Sequence, residues 1–164
     1  MTSSDLAALT NLARIGKLKI EPPDARELAG LLRSATARWH DSKQTILSIE
    51  SRFDLAYNAA HAAALSALRF HGYRSENRYL VFQCLEHTLG HQPAQWLLLN
   101  QAHNKRNLAE YEGDLDVTLS FVEELIEHVG NIIAAAHELH LQSPPRSAIN
   151  SRPNPNQNMS SKRH

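Results

Sequence analysis

The chain has a single cysteine, no excess of charge of either sign and no long apolar run. Cys84 alone excludes an intramolecular disulfide and a CxxC motif, and we expect it to be a small core residue. Because 17 Lys and Arg residues balance 17 Asp and Glu residues, no global positive field attracts nucleic acid or a membrane. A membrane span would need roughly 20 apolar residues. We therefore expect a soluble, cytoplasmic protein that binds any polyanion through a local patch.

Glycine and proline are also scarce, and they fall between segments whose apolar residues repeat every 3.5 to 3.6 positions. This pattern predicts an all-α chain of about five main helices with no sheet. We expect an N-terminal segment over 1–21 with a short helix at 3–15, a helical domain over 22–141, and a basic tail over 142–164. The tail is rich in Pro, Asn and Ser and contains no acid, which is typical of disorder.

The predicted bounds of the helices come from residues that typically begin or end a helix. The main helices are expected at about 24–46, 52–71, 77–89 and 93–112, followed by a last helix. Ser51 and Asp54 have capping-box spacing, and Asp114 is the expected cap of the last helix. An apolar stripe marks that last helix: Leu115, Leu119, Val122, Ile126, Val129, Ile133 and Ala136.

A second stripe consists mainly of alanine, and small side chains let another helix approach closely. Its members are Phe53, Ala56, Ala60, Ala63, Ala67 and Phe70. We expect this helix at the centre of the domain. Tyr57, Asn58 and His61 are its polar members, and Asn58 is predicted either to be a satisfied amide or to contribute to a site.

One helical seam changes its chemistry halfway along. Trp96, Leu99, His103, Arg106 and Glu110 follow 3, 4, 3, 4 spacing, so polar groups replace the apolar residues expected there. Such groups cost packing and desolvation energy unless they pair or line a polar cleft. At 100° per residue they share a face with Asn107 and Asp114. The alternative is a simple Arg106–Glu110 salt bridge worth a few tenths of a kcal/mol.

The ten histidines raise the question of a metal site. The pairs His87/His91 and His137/His140 have suitable spacing for two ligands. However, no histidine follows a glutamate at the Glu-x-x-His spacing of di-metal bundles. We therefore expect no metal and no cofactor.

Arginines surround the turn at residues 71–73. Arg69, Arg74 and Arg78, with Tyr73 and Tyr79, could form a basic, aromatic-edged patch for RNA. The alternative is that they are ordinary surface arginines beside a turn, because neither their spacing nor their composition selects RNA.

A family resemblance is carried by four segments in order: Arg52-Phe-Asp-Leu-Ala-Tyr-Asn-Ala-Ala-His61, His71-Gly-Tyr-Arg74, Leu85 to Gly90, and Lys105-Arg-Asn-Leu-Ala-Glu-Tyr-Glu-Gly113. Over about residues 22–139 the chain resembles the HEPN superfamily, especially small prokaryotic stand-alone members. The resemblance implies an up-and-down bundle that homodimerises around a composite cleft. Many members are metal-independent ribonucleases, frequently toxins of toxin–antitoxin or defence systems whose antitoxin is a nucleotidyltransferase.

Arg106 and Asn107 match the Arg-polar pair of that family, but the histidine expected four to six residues later is replaced by a stretch that contains Tyr111. His103 lies on the same helix face one turn earlier and is the alternative acid or base. The candidate catalytic residues are Arg106, Asn107, His103, Glu110 and Tyr111. The candidate RNA- or nucleotide-binding residues are Arg74, Arg78, Lys105, Tyr57 and Asn58. The alternative function is a non-catalytic module that docks a partner protein such as a nucleotidyltransferase.

Overall fold

A computed structural model describes residues 1–143, and these are mostly helical, as predicted. In chain order they form α1 (Ser3–Arg14), β1 (Lys19–Ile20), α2 (Ala25–Ser42), α3 (Ile49–Phe70), β2 (Tyr73–Arg74), α4 (Arg78–Gln83), α5 (Leu85–Thr88), α6 (Pro93–Glu112) and α7 (Leu119–His140). From residue 144 onward the predicted tail lies outside the described residues. None of the helices described is long and apolar enough to cross a membrane.

Helix α3 is the centre of the domain, as its alanine stripe predicted. All six stripe residues are buried, and α3 packs against both α2 and α7. Alanine side chains allow this close approach because they add little width to the helix. Cys84 is buried in the same core, again as predicted. The N-terminal helix α1 also reaches this core, through Leu9.

Two predicted helix starts are wrong. Helix α3 begins at Ile49, where the Ser48 hydroxyl accepts a hydrogen bond from the Ser51 amide, so Ser51 is inside the helix. Helix α7 begins at Leu119 with Thr118, not Asp114, as its cap. Leu115 lies in the connection between α6 and α7 and still packs against the core, which explains why its apolar character resembled one more helical turn.

Two predicted helices are too long. Helix α2 ends at Ser42, whose buried backbone carbonyl accepts a 2.8 Å hydrogen bond from Arg52 Nε. The chain then turns, and Ile46 is left exposed rather than packed. The segment expected at 77–89 divides at Cys84 into α4 and α5.

The expectation of no sheet is also wrong, because β1 and β2 form a two-stranded antiparallel pair. Ile20 pairs with Tyr73 and Lys19 pairs with Arg74. Strands of two residues are too short to show an alternating pattern. Gly72, with φ of +86°, makes the turn that brings β2 beside β1.

Trp39 of α2 packs directly on Gly130 of α7. A Cβ atom at position 130 would lie 2.6 Å from Trp39 Cζ2, and the indole is held because its Nε1 donates a 2.8 Å hydrogen bond to the Ile126 carbonyl. We expect Gly130→Ala to lower the free energy of unfolding by about 1–3 kcal/mol, despite alanine's better helix propensity. Urea unfolding measures this change.

Gly30→Ala is the matched control, since Gly30 also lies within a helix but its nearest side-chain atom is Arg33 Nη2 at 3.7 Å. There, alanine should be neutral or stabilise the fold by up to about 1 kcal/mol. Equal gains in the free energy of unfolding from both substitutions would mean that Trp39 moves away from position 130 without loss of stability.

Candidate functional site

A chain of side-chain hydrogen bonds joins α3 to α6. The Tyr57 hydroxyl lies 2.9 Å from His103 Nδ1, and the Asn107 amide nitrogen lies 3.0 Å from His103 Nε2. Tyr57 is fully buried and Asn107 is exposed, so the chain leads from the core to the surface. Both ring nitrogens of His103 are therefore oriented by neighbours.

Two arginines lie over the ring of Tyr57. The guanidinium carbon of Arg106 is 4.8 Å from the ring centroid, and that of Arg78 is 5.7 Å from it. The electron-rich face of an aromatic ring attracts cations, which explains how two like charges are held near one another. Two confined positive charges also favour an anionic ligand beside them.

Arg78 is positioned by the predicted amide. Its Nη1 donates a 3.0 Å hydrogen bond to Asn58 Oδ1, while Asn58 Nδ2 donates to the Asp54 carbonyl of the previous helical turn. Both polar atoms of the Asn58 amide thus have hydrogen-bond partners, as one of the two sequence interpretations expected, and Asn58 also orients Arg78.

The Arg106–Glu110 pair is loose. Their closest atoms are 3.9 Å apart, and the Glu110 side chain is 64% exposed against 29% for Arg106. An exposed pair at this distance contributes little to stability. The guanidinium of Arg106 is therefore free to contact another anion.

Burial lowers the pKa of His103, and the positive charges of Arg106 and Arg78 lower it further. The imidazole is therefore neutral at pH 7 and able to accept a proton. With the Asn107 amide nitrogen beside it, Nε2 accepts a hydrogen bond and Nδ1–H donates to the Tyr57 hydroxyl. In the other ring tautomer the Tyr57 hydroxyl donates to Nδ1, and Nε2–H donates to a flipped Asn107 amide.

His61 lies one turn beyond Tyr57 on α3, beside the same arginines. Its Nε2 atom is buried and has no hydrogen-bond partner among the described residues. Burial, with the charges of Arg78 and Arg106, lowers its pKa to about 4. His61 was not among the predicted site residues. The sequence signal for its position is its spacing of four residues from Tyr57, which puts both on one face of α3.

Tyr79 was assigned to the turn patch, but it lies over α6. Its ring is 5.2 Å from Trp96 and 5.7 Å from His103, and it is 38% exposed. The Tyr79 ring is therefore an aromatic surface beside His103 that a ligand can reach. Sequence reasoning missed the placement because it depends on how α4 docks against α6.

We call Tyr57, Asn58, Arg78, His103, Arg106 and Asn107 the arginine–histidine cluster, and all six were predicted site residues. Of the other four predicted residues, Glu110 contacts the cluster only through its loose pair with Arg106, and the remaining three lie elsewhere. Arg74 binds Glu21 and Glu27, Lys105 donates to the Asp116 carbonyl, and Tyr111 is 90% exposed. The arginines of the predicted turn patch are accordingly split between two locations.

A cleft of about 620 Å³ adjoins Arg106 between α3 and the end of α6. Four carboxylates line it, from Glu50, Asp54, Glu110 and Asp114. A phosphate would be repelled from this acidic cleft, so anions reach Arg106 most favourably from the side of Arg78.

The histidine pairs noted in the sequence have other partners. His87 Nδ1 lies 3.1 Å from a carboxylate oxygen of Asp5, and His91 Nε2 lies 2.8 Å from His128 Nε2. No group of three or more metal-ligating side chains occurs within residues 1–143.

The chain was compared with protein-family models, curated proteins and solved structures, and none of them matches it.

Proposed function

We propose that this protein is a HEPN-like RNA-binding protein that acts as a metal-independent ribonuclease in a toxin–antitoxin or defence setting. The observation that carries the proposal is the placement of two arginines over one buried tyrosine, whose hydroxyl lies 2.9 Å from His103 Nδ1. The resemblance of Arg106 and Asn107 to the family's Arg-polar pair supports it.

RNA binding would use charge and stacking together. Arg106 has only a loose contact with Glu110, so its N–H groups can donate to a phosphate. Tyr79 offers an exposed ring on which a base can stack. A single-stranded segment fits this arrangement best, because its bases are free to leave the stack.

Cleavage would begin at His103. In the tautomer that carries its proton on Nδ1, the exposed Asn107 gives up its hydrogen bond to Nε2, and this nitrogen then takes the proton of the ribose 2′-hydroxyl. The 2′-oxygen forms a bond to phosphorus, the bond from phosphorus to the 5′-oxygen breaks, and the departing oxygen takes a proton from solvent. The products are a 2′,3′-cyclic phosphate and a 5′-hydroxyl end. Arg106 stabilises the charge that develops on phosphorus oxygens.

The family resemblance adds a homodimer in which two copies of this helix face each other. In such a dimer the second copy would supply further groups around each Arg106. The exposed apolar residues of α6, Leu97, Leu108 and Tyr111, favour a contact between chains on this helix.

The second candidate function is a non-catalytic module that docks a partner protein such as a nucleotidyltransferase. The acidic cleft favours it, because four carboxylates suit a basic partner surface better than a nucleic acid. Leu108 and Tyr111, exposed on the same helix, would supply the apolar part of such an interface.

RNA cleavage tests the first function, and co-purification tests the second. Purified full-length protein is incubated with single-stranded RNA in EDTA, and the ends of the products are identified. We expect cleavage, lowered about a hundredfold or more by His103→Ala or Arg106→Ala, with circular dichroism showing that both variants fold. Arg38→Gln, which changes an exposed arginine on α2, is the matched control and should cleave normally.

Unchanged cleavage by the His103 variant would exclude His103 from the chemistry. An inactive wild-type protein that co-purifies with a basic partner at fixed stoichiometry, with Glu110→Lys abolishing the complex, would instead support the docking module.

A further inference from the structure

A second cavity lies beside the end of α7, whereas the acidic cleft includes Leu115, which precedes the start of that helix. It is a groove of about 550 Å³ between α2 and the last turns of α7, with Phe70 of α3 at its base. This volume is typical of small-molecule sites, which are mostly apolar with a few polar groups that orient the ligand. None of the residues of the arginine–histidine cluster lines this groove.

The α2 wall of the groove follows from its sequence. Ala25, Leu28, Ala29 and Leu32 have i, i+3, i+4, i+7 spacing, so they share one helix face. The two leucines and Phe70 are almost fully buried, whereas the two alanines are exposed and leave space above them. The base of the groove is thus apolar and the space arises from small residues.

The polar side chains that line the groove are a guanidinium, two imidazoles and a neutral amide. They belong to Arg33, His137, His140 and Gln142, and no Asp or Glu is among the described residues that line it. Arg33 makes no salt bridge or hydrogen bond to another side chain among residues 1–143. A ligand with an apolar body and one negative charge would match both parts of the groove.

His140 is already oriented for such a ligand. Its ring stacks on Phe70 with a centroid distance of 5.6 Å, and its Nε2 lies 3.3 Å from the Ser66 carbonyl, to which it must donate. The neutral ring therefore carries its proton on Nε2, and Nδ1 is left to take up a second proton. Burial lowers the pKa of His140, so a bound anion would raise it again.

His137 stands at the rim rather than the base. It is exposed, and its Nε2 lies 3.3 Å from the Thr36 hydroxyl, which links α7 to α2. This contact holds the two walls together on the side where Arg33 lies one turn earlier along α2.

From these observations we infer a binding site for an apolar monocarboxylate, such as a medium-chain fatty acid. The hydrocarbon chain would lie on Leu28, Leu32 and Phe70, and the carboxylate would accept hydrogen bonds from Arg33 and His140. The inference is independent of the proposed RNA chemistry.

Sodium decanoate is the probe, titrated into the full-length protein by calorimetry, with decanol as the uncharged comparison. We expect one decanoate per chain and binding of decanol at least about tenfold weaker, because decanol lacks the charge that Arg33 recognises. Binding should tighten from pH 8 to pH 6, since His140 takes up a proton with the ligand.

Two variants test the position of the site. Arg33→Gln should weaken decanoate binding about tenfold, whereas Arg38→Gln, on the same helix but outside the groove, should not change it. Ala29→Phe should abolish binding by filling the groove, and urea unfolding verifies that this variant folds.

The inference is overturned if decanoate shows no binding at about 1 mM, or if decanol binds equally well. It is also overturned if neither Arg33→Gln nor a folded Ala29→Phe variant affects the titration.

Discussion

Replacing Arg69 with methionine should lower the free energy of unfolding by about 3–5 kcal/mol. Arg69 is only 1% exposed, and its Nε lies 2.6 Å from a carboxylate oxygen of Glu27. Its other nitrogens donate to the Glu21 carbonyl at 2.7 Å and to the Pro22 carbonyl at 2.8 Å. Methionine fills similar space but removes every one of these donors, which leaves polar groups near the β1–α2 connection without partners.

Arg74→Met is the matched control for this prediction. Arg74 binds the carboxylates of Glu21 and Glu27, which lie 3.7 and 2.6 Å from Arg69 nitrogens, but the Arg74 side chain is 30% exposed, so water replaces it at little cost. We expect a loss of about 1 kcal/mol or less. Urea unfolding of both variants measures the difference, and equal losses would show that burial of Arg69 does not decide its contribution.

Acidification from pH 7.5 to pH 4.5 should destabilise the protein by several kcal/mol. Burial lowers the pKa of His61, His71 and His91 to about 4, from an ordinary value of 6.5. Between these values the unfolded chain takes up protons that the folded chain does not, so stability falls as the pH falls through this window. The histidine part of this loss levels off below about pH 4, where these three imidazoles are protonated in the folded protein as well.

His91 is the most direct test of this pH dependence. It is 8% exposed, it lies against His128, and its own contribution is about 3 kcal/mol. His91→Gln keeps an amide that can bind His128 but does not titrate, so it should flatten the pH dependence by about that amount. Urea unfolding at the two pH values measures it.

His40→Gln is the control for the histidine variant, since His40 is exposed and should leave the pH dependence as it is. The chosen window also avoids Asp5, whose pKa is lowered to about 2 by hydrogen bonds from Thr2 and His87. An unchanged slope in the His91 variant would contradict the prediction.

The candidate site could be predicted in part because helix periodicity is a local property. His103, Arg106 and Asn107 share a face at any packing of α6, and the interruption of an apolar seam identified that face before the fold was known. The positions of Arg74 and Lys105 could not be predicted in this way. Their partners, Glu21 with Glu27 and the Asp116 carbonyl, come from other elements of the chain.

Helix ends were predicted unevenly for a related reason. Pro93 and Gly113 bound α6 through backbone restrictions that act wherever those residues stand. Ser48 and Thr118 each have other serines, threonines or aspartates nearby that are equally suitable as caps. Which of them becomes the cap depends on how the helix packs in the folded protein. The β1–β2 pair depends on contact between residues more than fifty positions apart.

The sequence by itself determined the helical class, the central alanine-rich helix and the polar face of α6, because spacing along a helix and the size of alanine act locally. Tertiary structure alone decided that Tyr57 would receive two arginines, that Arg69 would be buried among carbonyls, and that small residues on α2 would leave a groove beside α7. Each of these features requires side chains from separate helices to come into contact. The free energy of such a contact depends on how far its polar and apolar groups are buried, and burial is set by the packing of several helices together.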